Sequence, residues 1–278
     1  MINQLLTGTI FNQQYTDKKF VKLTNQLENH NQYQFQTGLN IDSLPFNPHG
    51  QCQPGGIYFC QLEDLHLWLN YANLEMFYVR FVTIPDDALV WTEVGERSSP
   101  ITPFLSELFS KKFKTNCLIL GNRMEIGDLE IWKDPAYCLT AVKYDGFSLR
   151  YIKQQTKEIN LAAVEQDGYA LQYVRNQTEE ICLEAVQNYG LTLKYVKQQT
   201  EEICLAAVKK DALALQYVSE QTPQICLAAV RQDGCALKYV TEQSLQICLI
   251  AVHNSDYAHI YVKDEGAIRY FKENLLSY

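Results

Sequence analysis

Four side chains raise the question of metal chemistry: His49, Cys52, Cys60 and His66. Imidazole and thiolate are the ligands that zinc takes in tetrahedral sites. Their order fits no standard finger, because His49 and Cys52 stand three positions apart and Cys60 falls inside the apolar run GIYFC. The set reads as a loop histidine, a core cysteine and a surface histidine on a helix, with neither metal nor cofactor expected. His253 and His259 read as packing variants in a degenerate repeat. No GxxxxGK[ST], HExxH or GxSxG pattern occurs, so none of these motifs points to a reaction.

A second set could bind rather than react. Arg150, Lys153, Arg175, Lys194, Lys197 and Lys238 recur on the outer side of a repeated element, and Glu158, Glu179, Glu180, Glu201 and Glu202 recur in the first turn of another. Acidic first turns match the positive end of a helix dipole. The six cations make either a solvated face or a docking strip for a protein partner.

Composition narrows the partner class. The 278 residues are 47% hydrophobic and 20% charged, as in an ordinary folded protein. A formal charge of −8 argues against a dedicated nucleic-acid binder. No apolar run approaches the roughly 18 residues of a membrane span, and MINQLLTGTIFNQQ lacks the basic and apolar regions of a secretory signal. Of the nine cysteines, Cys182, Cys204, Cys226 and Cys248 recur at a spacing of 22. On neighbouring helices about 8–10 Å apart, they would lie beyond the ~7 Å Cα limit for a bridge. They are expected to be buried free thiols in a reducing compartment.

The elements that must position these residues form an array. At a period of 22, Tyr151, Tyr173, Tyr195, Tyr217, Tyr239 and Tyr261 fall in one column, and Val142, Val164, Val186, Val208, Val230 and Val252 in another. Such self-similarity marks a repeat architecture. Thr178, Thr200 and Thr222 precede apolar clusters as N-caps do, and Pro223 follows Thr222 where a first helical residue belongs. Gly146, Gly168, Gly190 and Gly234 stand where a left-handed residue ends the first helix, with Ala212 breaking the rule. A second helix follows, with Leu193, Tyr195 and Val196 inward and Lys194, Lys197 and Gln198 outward. Two-helix units that stack only on their neighbours make an all-α solenoid of helical-hairpin repeats. The units run 134–155, 156–177, 178–199, 200–221, 222–243 and a degenerate 244–265, and GAIRYFKENLLSY at 266–278 reads as a capping helix.

Residues 1–133 lack the repeat and read as an α+β domain that also caps the open end of the array. FVKLT, GIYFC, MFYVRFVTI, DALVWTEV and TNCLILG predict strands, and 64–73 and 103–113 predict amphipathic helices. TGLNIDSLPFNPHGQCQPGG predicts a long turn-rich stretch.

FQTGLNIDSLPFNPHGQCQPGGIYFC and VRFVTIPDDALVW resemble the N-terminal domain of proteins abundant in mimivirus-like giant viruses. The module AAVxxDGxALxYV resembles a helical repeat of unknown function found in those viruses and in some intracellular bacteria. The resemblance implies a viral protein acting in host cytoplasm or virion, and it names no reaction. GLN followed by GGIYF also resembles the second-strand region of ADP-ribosyltransferases of the poly-ADP-ribose polymerase type. That likeness would place Tyr58 against nicotinamide and Glu93 as the catalytic acid on a late strand. The His-Gly pair that holds the NAD ribose in that family has no counterpart in FVKLTNQ.

The leading reading is a non-enzymatic protein-interaction scaffold. A divergent ADP-ribosyltransferase-like domain and a self-assembling virion component, stacking as a homo-oligomer, are the alternatives. The repeat frame has a direct check by circular dichroism and thermal melting. Deleting residues 200–221 should leave a folded, shorter array, because the neighbours still meet equivalent faces. Deleting only 200–210 should abolish the cooperative melt, and equal behaviour of the two deletions contradicts the frame.

Overall fold

A computed structural model describes residues 4–30, 33–48, 54–69, 76–92 and 112–274. The chain divides into two compact units, 1–141 with 151–153 and 142–150 with 154–278.

The first unit is built on an antiparallel sheet. In chain order its strands are β1 (Gln4–Thr7), β2 (Phe20–Thr24), β3 (Asn29–His30), β4 (Tyr33–Gln34), β5 (Gly38–Ile41), β6 (Ile57–Gln61), β7 (Tyr78–Thr83), β8 (Leu89–Thr92), β9 (Lys112–Thr115), β10 (Cys117–Leu120) and β11 (Met124–Glu125). The sheet runs β1-β8-β9-β6-β2-β7-β10-β5, with β11 on β7, while β3 and β4 pair separately. The two-residue period of a strand sends alternate side chains to opposite faces. On one face Phe20, Phe59 and Phe113 gather around Phe11 of helix α1 (Gly8–Gln14), with ring centroids 5.0, 5.9 and 5.4 Å from it.

Beside this aromatic core lies a buried ion pair. Arg80 of β7 donates from Nε to Glu28 Oε1 at 2.8 Å and from Nη2 to Glu28 Oε2 at 3.1 Å. Its Nη1 also donates to Gly121 O and to Thr37 Oγ1, at 2.8 and 2.9 Å. The Arg80 guanidinium holds the Glu28 carboxyl below its usual range, against the opposing effect of burial.

The strands expected from FVKLT, GIYFC, MFYVRFVTI, DALVWTEV and TNCLILG all form. Two helices differ. The one expected at 64–73 is a 3-10 helix, Leu62–Trp68, and 70–73 lie outside the described residues. Of 103–113, residues 103–111 lie outside the described residues, while Lys112 and Phe113 belong to β9. There Phe113 faces Phe59 and Lys112 faces Cys60 across the ladder, so strand pairing overrides the helical spacing. The turn-rich stretch also hides β5, which pairs with β10.

The repeats form as stacked units. Six ten-residue α-helices, α2 (Pro135–Tyr144), α3 (Lys157–Gln166), α4 (Glu179–Asn188), α5 (Glu201–Lys210), α6 (Pro223–Gln232) and α7 (Leu245–Asn254), recur in register; α8 (Glu265–Asn274) follows them. Thr156, Thr178, Thr200, Thr222 and Ser244 each accept a hydrogen bond from the backbone N–H three residues on. Pro223 occupies the first turn of α6. Cys182, Cys204, Cys226 and Cys248 are buried free thiols, and burial pushes all four up in pKa, Cys248 to about 11.

The second element is a six-residue 3-10 helix rather than an α-helix, as in Gly168–Tyr173 and Gly190–Tyr195. Six residues close too few i→i+4 bonds to favour the α form. The glycines that begin it also differ from expectation, since none of Gly146, Gly168, Gly190 and Gly234 has positive φ. They are needed for close approach. A Cβ on Gly190 would sit 2.6 Å from Ala207 O of the next unit, and one on Gly234 would sit 2.2 Å from Ala251 O.

At every junction stands a glutamine. Gln155, Gln177, Gln199, Gln221 and Gln243 donate from Nε2 to the carbonyls of Tyr173, Tyr195, Tyr217, Tyr239 and Tyr261 at 2.8–2.9 Å. Their Oε1 atoms accept from the backbone N–H of Arg175, Lys197, Ser219, Thr241 and Lys263 at 2.6–3.0 Å. The thiols of Cys182, Cys204, Cys226 and Cys248 approach the oxygens of Gln177, Gln199, Gln221 and Gln243 at 3.5–3.7 Å.

Two stability predictions follow from these contacts. Gln199→Leu strands a carbonyl and an N–H of the next unit and should cost about 2 kcal/mol in urea unfolding. The exposed neighbour Gln198→Leu should cost under about 0.5 kcal/mol. In the first unit, Glu28→Gln should cost about 3–5 kcal/mol at neutral pH, since it leaves Arg80 buried without its charge partner. Because the folded pKa of Glu28 is depressed, its contribution is complete above the ordinary value of about 4.3. It should fade as pH falls through the lower folded value, so the two proteins should converge in acid unfolding.

Candidate protein-docking surface

The 3-10 segments present one row of side chains outward per unit. Leu171, Leu193, Leu215 and Leu237 are fully buried and fix the inner side. Of the six cations singled out by sequence, Arg150, Lys194 and Lys238 lie in these segments and Lys153, Arg175 and Lys197 just beyond their ends, and the fold uses them unequally. Lys153 pairs with Asp128 at 2.7 Å within the first unit. Arg150 is half-buried, and Lys238 stands over the ring of Tyr239 at 5.5 Å. Arg175, Lys194 and Lys197 are exposed in consecutive units. Lys197 Nζ donates to Arg175 O at 2.9 Å, which brings these two together. Lys194 Nζ lies 4.7 Å from the ring of Tyr195 and 5.4 Å from that of Tyr169. Its hydrogen bond with the Tyr195 hydroxyl, reinforced by nearby tyrosines, holds its pKa above the usual value.

Sequence reasoning passed over the capping aspartates of this surface and the tyrosine that interrupts them. Asp145, Asp167, Asp211 and Asp233 cap the 3-10 helices, accepting from the backbone N–H two residues on at 2.8–2.9 Å. In the third unit Tyr189 takes that place, makes no side-chain cap and is 46% exposed. Its ring lies 5.4 Å from Tyr169 at 33°. The signal available in the sequence was the departure from the repeat column at 189.

The helix side of the array offers a shallow groove of about 640 Å³ between α4 and α5. Leu183 and Leu205 line it, with Glu201 and Glu202 toward the start of α5 and Lys209 and Lys210 toward its end. It therefore presents both signs of charge.

In the first unit the ring of Tyr58 has Lys112 Nζ and Lys114 Nζ each 5.0 Å from its centroid. A cationic nicotinamide stacked there would meet like charge. Glu93, His49 and Cys52 lie outside the described residues. Cys60 is buried in β6, which pushes its thiol well up in pKa. The His66 ring packs edge-on to Tyr137 at 5.5 Å. His253 and His259 are exposed. Among the described residues, no group of three or more His, Cys, Asp or Glu is placed to hold a metal ion, and no helix is long and apolar enough to cross a membrane.

A family model matches within the repeat array, and a search of known proteins finds relatives in one giant virus. The family described as "Domain of unknown function (DUF4116)" matches residues 134–177, 178–222 and 200–246. The protein named "Uncharacterized protein R869" from Acanthamoeba polyphaga mimivirus is 32% identical over 123 residues, which cover 44% of this chain and 78% of that protein. Two proteins of the same virus named as ankyrin repeat proteins also match. R868 is 25% identical over 46% of this chain and 57% of its own length, and R229 is 32% identical over 42% and 37%. The chain thus spans little more than half of R868 and about a third of R229. No solved structure matches the chain.

Proposed function

From a chain that belongs to the family of mimivirus repeat proteins containing R869, we propose a docking scaffold for a protein partner, working in host cytoplasm or virion. The observation that carries this reading is the junction glutamine, which binds unit to unit and so holds outward residues at fixed intervals. Ordered, regularly spaced surfaces suit extended protein partners, and solenoids supply them. Two relatives named as ankyrin repeat proteins support the same class of function. The 22-residue unit of this chain differs from the ankyrin unit, which has about 33 residues and two α-helices.

The proposed working strip is the row of Arg150, Lys153, Arg175, Lys194, Lys197 and Lys238, with Arg175, Lys194 and Lys197 at its centre. Those three side chains are exposed, and the contacts that Lys197 and Lys194 make with the array lie at its surface, where substitutions cost little stability. Combined reversal, Arg175→Glu with Lys194→Glu and Lys197→Glu, should keep the thermal melt close to the parent's. Partner capture from host lysate should fall, with the largest difference at low salt, where screening is weakest. An unchanged melt with unchanged partners would contradict a role for the strip.

A further inference from the structure

The array departs from its own pattern at the centre of the proposed strip, and the departure weakens local structure. Asp145, Asp167, Asp211 and Asp233 each satisfy a backbone N–H of their own 3-10 helix. Tyr189 gives up that bond and places a large ring 46% in water. An exposed aromatic that replaces a functioning cap is not explained by folding of its own unit.

Its surroundings say what it could hold. The Tyr189 ring lies against Tyr169, Tyr169 meets Tyr195 edge-on at 6.3 Å, and Lys194 Nζ stands over both Tyr169 and Tyr195. Along 168–177 and 190–199 the charged residues are Arg175, Lys194 and Lys197, with no carboxylate, in a chain whose formal charge is −8. The exchange at 189 removes the carboxylate that this column carries at 145, 167, 211 and 233. The same substitution therefore adds aromatic surface and raises local positive charge. In the next two units the equivalent segments carry Glu220 and Glu242, which ends the carboxylate-free stretch on that side, while 146–155 extends it with Arg150 and Lys153.

We propose that Tyr169, Tyr189, Tyr195 and Lys194, flanked by Arg175 and Lys197, form a cradle that binds an acidic segment of a partner protein through an aromatic side chain set between carboxylates. This assignment rests on the scaffold reading and adds the place and the chemistry of the partner. The partner's ring stacks on Tyr189 and Tyr169, since offset and edge-on aromatic pairs are favourable. Its carboxylates face Lys194, Arg175 and Lys197, which supply charge complementarity and register. Tyrosine and arginine are also among the residue types that dominate binding energy at the centre of a contact.

The test selects random twelve-residue displayed peptides against the full chain, then measures synthetic copies of the enriched peptides by fluorescence anisotropy. The expected peptides are net acidic and contain an aromatic residue. Tyr189→Asp, which restores the repeat's own pattern and should melt no lower than the parent, should weaken binding by more than about tenfold. Lys194→Glu should do the same, and Tyr189→Phe should bind like the parent. Enriched peptides that bind Tyr189→Asp as well as the parent would overturn the cradle while leaving the scaffold reading standing. No enrichment at all would overturn both. A labelled oligo-thymidine that binds in a Tyr189-dependent way would overturn the acidic protein segment in favour of single-stranded nucleic acid.

Discussion

The repeat array depends on one primary amide per junction. Each unit ends in a short 3-10 helix whose last tyrosine carbonyl, and the N–H two residues beyond, find their partner in the preceding unit. The glutamine side chain has one donor group and one acceptor group, and both are used across the junction. An isolated unit would leave these backbone groups to water and its apolar face bare. Stacking satisfies the polar and apolar requirements together, which is why the 22-residue pattern recurs so regularly. At four of the five junctions a buried cysteine beside the glutamine oxygen keeps this contact sheltered while remaining a thiol.

Two further constraints act on the same junction. The glycine column lets one unit's backbone approach the carbonyl of the next unit's helix. Asn188 and Asn254 donate to the last carbonyls of the helices one unit earlier, Val164 with Glu165 and Val230 with Arg231. Together they leave little freedom in spacing between units. Residues that point outward inherit that regularity, and Arg175, Lys194 and Lys197 owe their placement to it. Variation on the outer face is therefore where one array of this kind can differ from another, and Tyr189 is such a variation.

Much of this was legible in the sequence. Threonine caps, Pro223 and the apolar columns specify the α-helices because capping and 3.6-residue periodicity act locally. The strands from FVKLT through TNCLILG were legible for the same reason. The 3-10 form of the second element was not, because inward Leu193, Tyr195 and Val196 are compatible with either helix. The glycine column was visible, but φ and close approach leave the same mark in sequence. The glutamine column was equally visible, yet Gln177 and Gln199 sit among polar neighbours, and only the fold shows that their amides bridge units. Lys112 and Phe113 read as the end of a helix because the partners that make them a strand, Cys60 and Phe59, lie far away in sequence.

Hydrogen exchange at the junction amides tests the central claim most directly. The N–H groups of Arg175, Lys197, Ser219 and Thr241 belong to exposed residues outside regular helix and each donates to the glutamine oxygen of the preceding unit. If the glutamine ladder holds the array, these four amides should exchange slowly, with protection close to that of the α-helix interiors. Exchange at the rate of unprotected loop amides, alongside protected helices, would contradict it.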